Sequence, residues 1–255
     1  MKRRTAKSTG KATAASVQLL KVDGISAPVE VRRHPKARRL TLRVSRTQHA
    51  VILTMPRSSD LREADRFLLR NRDWVRERLE CVPEPVPLVE GATFPVRGVP
   101  HEIAFEPAVR GAGVVEIATR AGRRVPVVIV RGTLEHAPRR LRDWLYAEAA
   151  RDLQTAVSRY AKALGVRPLR ITLRDQKTRW GSCSSAGQLS FSWRLLMAPP
   201  VVLDYVAAHE VAHLVHMNHG PRFWRLVDRI MPRAGEAKAW LRIHGMDLYR
   251  YDLNP

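Results

Sequence analysis

The chain is poor in cysteine, in acidic residues and in long apolar runs. Only two cysteines, Cys81 and Cys183, occur in 255 residues. Two cannot staple a chain of this size, and their spacing fits no cysteine-rich zinc site. A reducing compartment is the default for such usage, so the expectation is a soluble, cytoplasmic protein. No apolar stretch approaches membrane-spanning length, which argues against a membrane role. The basic start (Lys2, Arg3, Arg4, Lys7, Lys11) is followed only by Ala14–Leu20, interrupted by Ser16 and Gln18 and ended by Lys21. That is a poor secretory signal. Acid is scarce: Asp plus Glu number 24 against 45 Lys plus Arg, a formal charge of +21. Such a balance favours polyanionic partners. Yet only eight of those 45 are Lys, and an arginine-heavy chain also follows from the base composition of a coding genome. Charge alone therefore assigns no function.

What is present is enough apolar residue for a core, 45% of the chain, which excludes wholesale disorder. Residues 1–22 read as a basic, disordered tail. Residues 23–135 read as a β-rich N-terminal module, and 136–255 as a separate domain. Leu40, Leu42 and Val44 alternate with Arg39, Thr41 and Arg43, and Val51, Leu53 and Met55 alternate again. Two strands joined through Ser45–His49 make a hairpin. Eight basic residues and no acid lie between Val31 and Ser59: Arg32, Arg33, Lys36, Arg38, Arg39, Arg43, Arg46 and Arg57. This hairpin is the place where DNA or RNA would bind. One helix follows, opened by Asp60 and Glu63 at capping-box spacing and running through Leu79. Short strands continue through Thr93–Val96, Glu102–Phe105, Val114–Ala118 and Val125–Val130.

The second half turns helical. Pro138 to Leu164 carries one long apolar stripe, stopped by Gly165. Leu169–Leu173 and Leu189–Trp193 alternate as strands around a turn at Trp180–Ser185. Pro199 and Pro200 open a nearly all-apolar helix from Val201 to about Met217. Two closing helices, Pro221–Met231 and Arg233–His244, complete the chain. The fold class is α+β: an antiparallel β module with one helix, then a compact helical core with a short sheet.

The sharpest pattern is His209-Glu210-Val211-Ala212-His213. Helical residues four apart differ by about 40° and rise about 6 Å, so both imidazoles can converge on one zinc ion. Glu210 lies about 60° around from His213, able to miss the metal yet reach a water beside it. This is the arrangement of a metal-dependent peptidase with a carboxylate base. An otherwise apolar helix would bury two imidazoles and a carboxylate at a cost that a metal offsets. Three residues compete for the third ligand position. His219, six after His213, comes first, Glu236 second and His216 third. For His219 to swing back the helix must break after about Met217, with Asn218 left-handed and Gly220-Pro221 blocking continuation. Arg179, His216, Tyr249 and Tyr251 are the candidates for substrate or oxyanion contacts. Asp204 and Asp228 could orient a ligand imidazole. The strand at Gln188–Leu196 is expected to be an edge that pairs with extended substrate.

Four runs carry a resemblance: Arg179-Trp180-Gly181-Ser182-Cys183-Ser184, Trp193-Arg194-Leu195-Leu196, His209 to His213, and Asn218-His219-Gly220-Pro221-Arg222-Phe223-Trp224. Together they resemble the YgjP-like metallopeptidases, relatives of the WLM and SprT-like zinc proteases. Arg38 to Val44 and Trp74-Val75 are similar to that family's opening hairpin and helix. The resemblance implies a zinc-dependent peptidase with a gluzincin-like (zincin) core in residues 136–255, acting on proteins or peptides, with His219 as third ligand. A different class stays open. YbeY-type RNA endonucleases hold a metal with similarly spaced histidines but carry Gly where Glu210 stands, so a metal-dependent nucleic-acid hydrolase is the alternative. A basic nucleic-acid-binding module with a structural zinc is another.

Overall fold

The computed structural model describes residues 17–20, 22–45, 50–80, 82, 84–176 and 178–252. The expected tail up to residue 16, together with Arg46 and Cys81, lies outside them. The chain divides into two compact units, Met1–Val82 and Pro83–Pro255. The division falls at 82/83 and not at the expected 135/136. The physical reason is a shared core: Phe94, Ile103 and Val128 pack in one cluster with Leu141, Leu145 and Leu153.

In the first unit, β1 (Val17–Leu20), β2 (Val29–Arg33), β3 (Thr41–Ser45) and β4 (Ala50–Met55) form a sheet in the order β1-β2-β4-β3. Val17–Leu20 was expected inside the tail; it pairs instead with Val29–Arg32. The β3–β4 hairpin is antiparallel as its alternation predicts. However, β2 runs parallel to β4, so the sheet is mixed and not purely antiparallel. Val29, Val31, Val51, Leu53 and Met55 bury one face against helical Ala64, Leu68 and Val75. The expected single helix is two: α1 (Leu61–Arg70) and α2 (Arg72–Glu80). Asn71 divides them because its side-chain amide takes the carbonyl of Phe67 at 2.8 Å, competing with helical bonding. Two arginines of the basic stretch are occupied internally. Arg32 pairs with Glu30, and Arg33 donates to the carbonyls of Arg57 and Ser59.

The second unit begins with β5 (Val86–Pro87). It continues through β6 (Thr93–Val96), β7 (Val99–Glu106), β8 (Val115–Ala118) and β9 (Val127–Arg131). Strands β6-β7-β9-β8 make a second mixed sheet, with β7 parallel to β9. The long helix α3 (Ala137–Leu164) runs for 28 residues and ends where Gly165 adopts φ +65°. That left-handed conformation suits glycine and lets its N–H satisfy an orphan carbonyl. Then come β10 (Arg170–Arg174), β11 (Gly181–Cys183) and β12 (Gln188–Ser192), a 3-10 turn at Trp193–Met197, and α4 (Pro200–Ala212). Helices α5 (Pro221–Ile230) and α6 (Ala234–His244) follow, and β13 (Tyr251–Asp252) pairs with β5. Among the described residues no helix is long and apolar enough to cross a membrane.

Two expectations near the His-Glu-x-x-His motif need correction. Trp180–Ser185 is not only a turn, because Gly181–Cys183 is a strand. The sheet order is β10-β12-β11, so β12 is central and the edges are β10 and β11, of which β11 lies against α4. The main chain of β12 is already hydrogen-bonded on both sides and cannot receive a substrate strand.

The α1 cap gives a test. The Asp60 carboxylate accepts from the Glu63 N–H at 2.7 Å. Asp60→Ala should destabilise α1 by about 1 kcal/mol, seen as about fivefold faster amide exchange across Leu61–Arg70 in the full chain. Asp60→Asn should restore most of the protection. Unchanged exchange in the Ala variant would remove the cap from the account.

Candidate metal centre

Helix α4 is apolar all round because it is buried all round. It packs on α3, β11, α5 and α6. The helix was expected to reach about Met217, but it ends at Ala212. The last turn tightens: Leu214 N–H bonds to the Val211 carbonyl and Val215 N–H to that of Ala212, each at 3.0 Å. Such three-residue steps close a helix end. Asn218 is not left-handed, since Arg97 is the one non-glycine with positive φ among the described residues. The reversal is made instead by a narrow turn, Gly220 N–H to the Asn218 carbonyl at 2.8 Å. Gly220 then caps α5, with Pro221 in its first turn.

This bend returns His219 to the helix. The nitrogens of His209, His213 and His219 lie within 4.8 Å of one another. The Nε2 atoms of His209 and His219 are 3.1 Å apart. Two nitrogens bound tetrahedrally to zinc at about 2.0–2.1 Å are separated by about 3.3 Å, so the spacing fits. His213 Nδ1–H donates to the His216 carbonyl at 3.1 Å. That bond fixes the tautomer and leaves the Nε2 lone pair free for a cation. The fit extends to charge. Burial pushes His209 down to about 4, helped by His213, His219 and Lys238. Burial also lowers His213, opposed by its bond to the His216 carbonyl. Both rings are therefore neutral at pH 7, the form that binds metal. Three nitrogens leave a fourth position open.

The competing third ligands are placed elsewhere. Glu236 is exposed and held by Arg233 through two contacts of 2.8 Å. His216 contributes its carbonyl, and its ring is outside the metal cluster because α4 has already ended. Asp204 pairs with Arg159 at 2.6 Å and does not orient a histidine. His209 Nδ1 is buried without a partner among the described residues. Tyr249 lies with its ring centroid 4.9 Å from that of Trp180 and under the guanidinium of Arg194. Tyr251 is in β13.

Glu210 is buried, and burial raises its carboxyl to about 7, opposed by the charge of Arg179. Its space exists because residue 181 is glycine. A Cβ on Gly181 would stand 2.6 Å from both Glu210 Cγ and Oε1. The sequence pattern missed this contact, along with the aromatic walls of the site. Phe223 is fully buried, its ring centroid 4.5 Å from His213 and 4.8 Å from His219. Trp224 stacks on His219 at 5.6 Å, and Tyr205 stands 5.9 Å from His209. Their signal was present: Tyr205 is one helical turn before His209, and Phe223-Trp224 follow His219 closely.

Three imidazoles meeting at one point, two of them from a His-Glu-x-x-His turn, define a metal-binding site of the metallopeptidase class. The sequence profile of the YgjP-like metallopeptidase domain matches residues 38–244. The match spans well over half of the chain, which therefore belongs to the YgjP-like metallopeptidase family. It is a hydrolase, and its substrates are proteins or peptides. The chain is also similar to the metallopeptidase zymogen abylysin of Pyrococcus abyssi, known from a crystal structure. The identity is 24%, over 36% of this chain and 92% of that one, with a TM-score of 0.33. No curated protein matches significantly.

The Gly181 contact predicts a separable defect. Gly181→Ala should displace the Glu210 carboxylate and leave the imidazoles in place. Metal per chain should stay at the parent level while peptide hydrolysis falls about a hundredfold. Undiminished turnover would show that the carboxylate finds another position at no cost.

Proposed function

We propose that the chain is a zinc-dependent peptidase in which His209, His213 and His219 hold the ion and Glu210 is the general base. The observation that carries this reading is the convergence of the three histidine nitrogens within 4.8 Å. An all-imidazole donor set favours zinc over hard oxygen-seeking cations. When bound, zinc supplies a Lewis acid that polarises the scissile carbonyl and promotes ionisation of water. Glu210 accepts the proton of the attacking water and later delivers it to the leaving amine. A carboxyl near the operating pH suits both halves of that task. Phe223, Trp224 and Tyr205 surround the imidazoles with apolar surface, which strengthens local electrostatics.

The peptide lies along β11. Ser192 N–H bonds to the Trp180 carbonyl and Ser184 N–H to that of Gln188, both at 2.9 Å. Trp180, Ser182 and Ser184 therefore spend their main-chain groups on β12. By antiparallel alternation, those of Gly181 and Cys183 point to the open edge. An extended substrate pairing there passes beside Glu210.

Metal analysis beside turnover tests the assignment. The parent should hold about one zinc per chain, His213→Ala and His219→Ala should lose most of it, and Glu236→Ala should keep it. Glu210→Gln should retain zinc while turnover drops about 10²–10⁴-fold. Full zinc in His219→Ala would move the third ligand elsewhere. Full turnover in Glu210→Gln would take the base away from this residue.

A further inference from the structure

One face of the three-stranded sheet is not used by the core. Leu189 and Phe191 of β12 point into the core, so Ser190 between them points to the opposite side. Its neighbours across the sheet are Thr172 of β10 and Ser182 of β11. The Thr172 and Ser190 hydroxyls are 2.8 Å apart. All three line a cavity of about 540 Å³, together with Arg174, Gln176 and Arg179. Among the described residues no carboxylate lines it. Neither arginine has an ion-pair partner among the described residues, whereas Arg97, Arg131, Arg194 and Arg233 are all paired. The side-chain oxygen of Gln176 is buried and has no donor among the described residues.

The cavity adjoins the metal centre. Ser182 and Cys183 line it and also form β11. The residue before them, Gly181, lies against Glu210. The charge of Arg179 reaches that carboxylate.

We propose that this cavity is a specificity pocket that takes an acidic side chain, Asp or Glu, from the peptide being cleaved. The proposal rests on the reading of β11 as the strand that aligns substrate. A peptide on that edge alternates its side chains, so every second one falls on the Ser182 face. There a carboxylate meets two unpaired guanidinium groups. The hydroxyls of Ser182 and Ser190 complete its hydrogen bonds, while that of Thr172, which donates to the Leu189 carbonyl at 3.2 Å and lies 2.8 Å from Ser190, holds the Ser190 hydroxyl in place. A lysine in the same place faces like charge, and an apolar side chain leaves the polar lining unpaired.

The test uses the full-length, zinc-loaded chain and a pool of randomised decapeptides, with cleavage products sequenced by mass spectrometry. One subsite within three residues of the scissile bond should prefer Asp and Glu over Lys by about tenfold or more. Arg174→Gln should weaken that preference, and Arg174→Glu should reverse it towards Lys. Cleavage without an acidic preference, or a preference unchanged in Arg174→Glu, overturns the pocket and leaves the peptidase reading standing. No cleavage of any peptide overturns the peptidase reading, and the pocket with it.

Discussion

Three imidazoles must bring their lone pairs to one point, and the second unit is organised around keeping His209 and His213 neutral and all three rings close. In water each ring would be partly protonated near neutral pH, and three cations a few ångströms apart would repel one another. Burial resolves this for His209 and His213 by making the charged form costly. The apolar wrapping of α4, with Phe223 and Trp224 across the rings, supplies that burial. Lys238 stands 4.2 Å above the Trp224 ring, and its charge further disfavours protonation of His209. The same desolvation acts in the opposite direction on Glu210, raising it because its charged form is the anion.

Precision comes from the backbone as much as from side chains. The His216 carbonyl holds the His213 ring, so a residue whose own imidazole is outside the cluster still shapes it. Behind the site, buried Arg194 stacks on Trp193 and donates to the carbonyls of Leu248 and Tyr251, while its Nε bonds to Asp175. It ties the C-terminal segment to the 3-10 turn linking β12 to α4. The central strand β12, which pairs with the strand beside Glu210, is thus joined to the helix carrying that residue through an anchored turn.

Much of this was legible in the residues. The β3–β4 hairpin, the Asp60 cap, the Gly165 stop and the openings of α5 and α6 follow from alternation, capping and proline or glycine placement, all local effects. The three histidines could be named from spacing and from likeness to a family. The errors share a cause. Asn71 splitting one helix, β2 running parallel to β4, and β12 lying inside its sheet each depend on partners distant in sequence or on competition for a single carbonyl. Periodicity reports which face of a segment is apolar. It does not report which strand lies alongside.

The amino-acid sequence by itself determined the donor set and its helical phase, because residues four apart on a helix share a face whatever surrounds them. It also determined that the chain must bend after the second histidine, since Gly220-Pro221 cannot extend a helix. Tertiary structure decided which third residue reached the others, since Glu236 was captured by Arg233 while His219 was turned back. It decided too that Gly181, far from the motif in sequence, leaves room for Glu210. Convergence of side chains in space is a property of packing, and no linear pattern encodes the contact between a strand edge and a helix some thirty residues away.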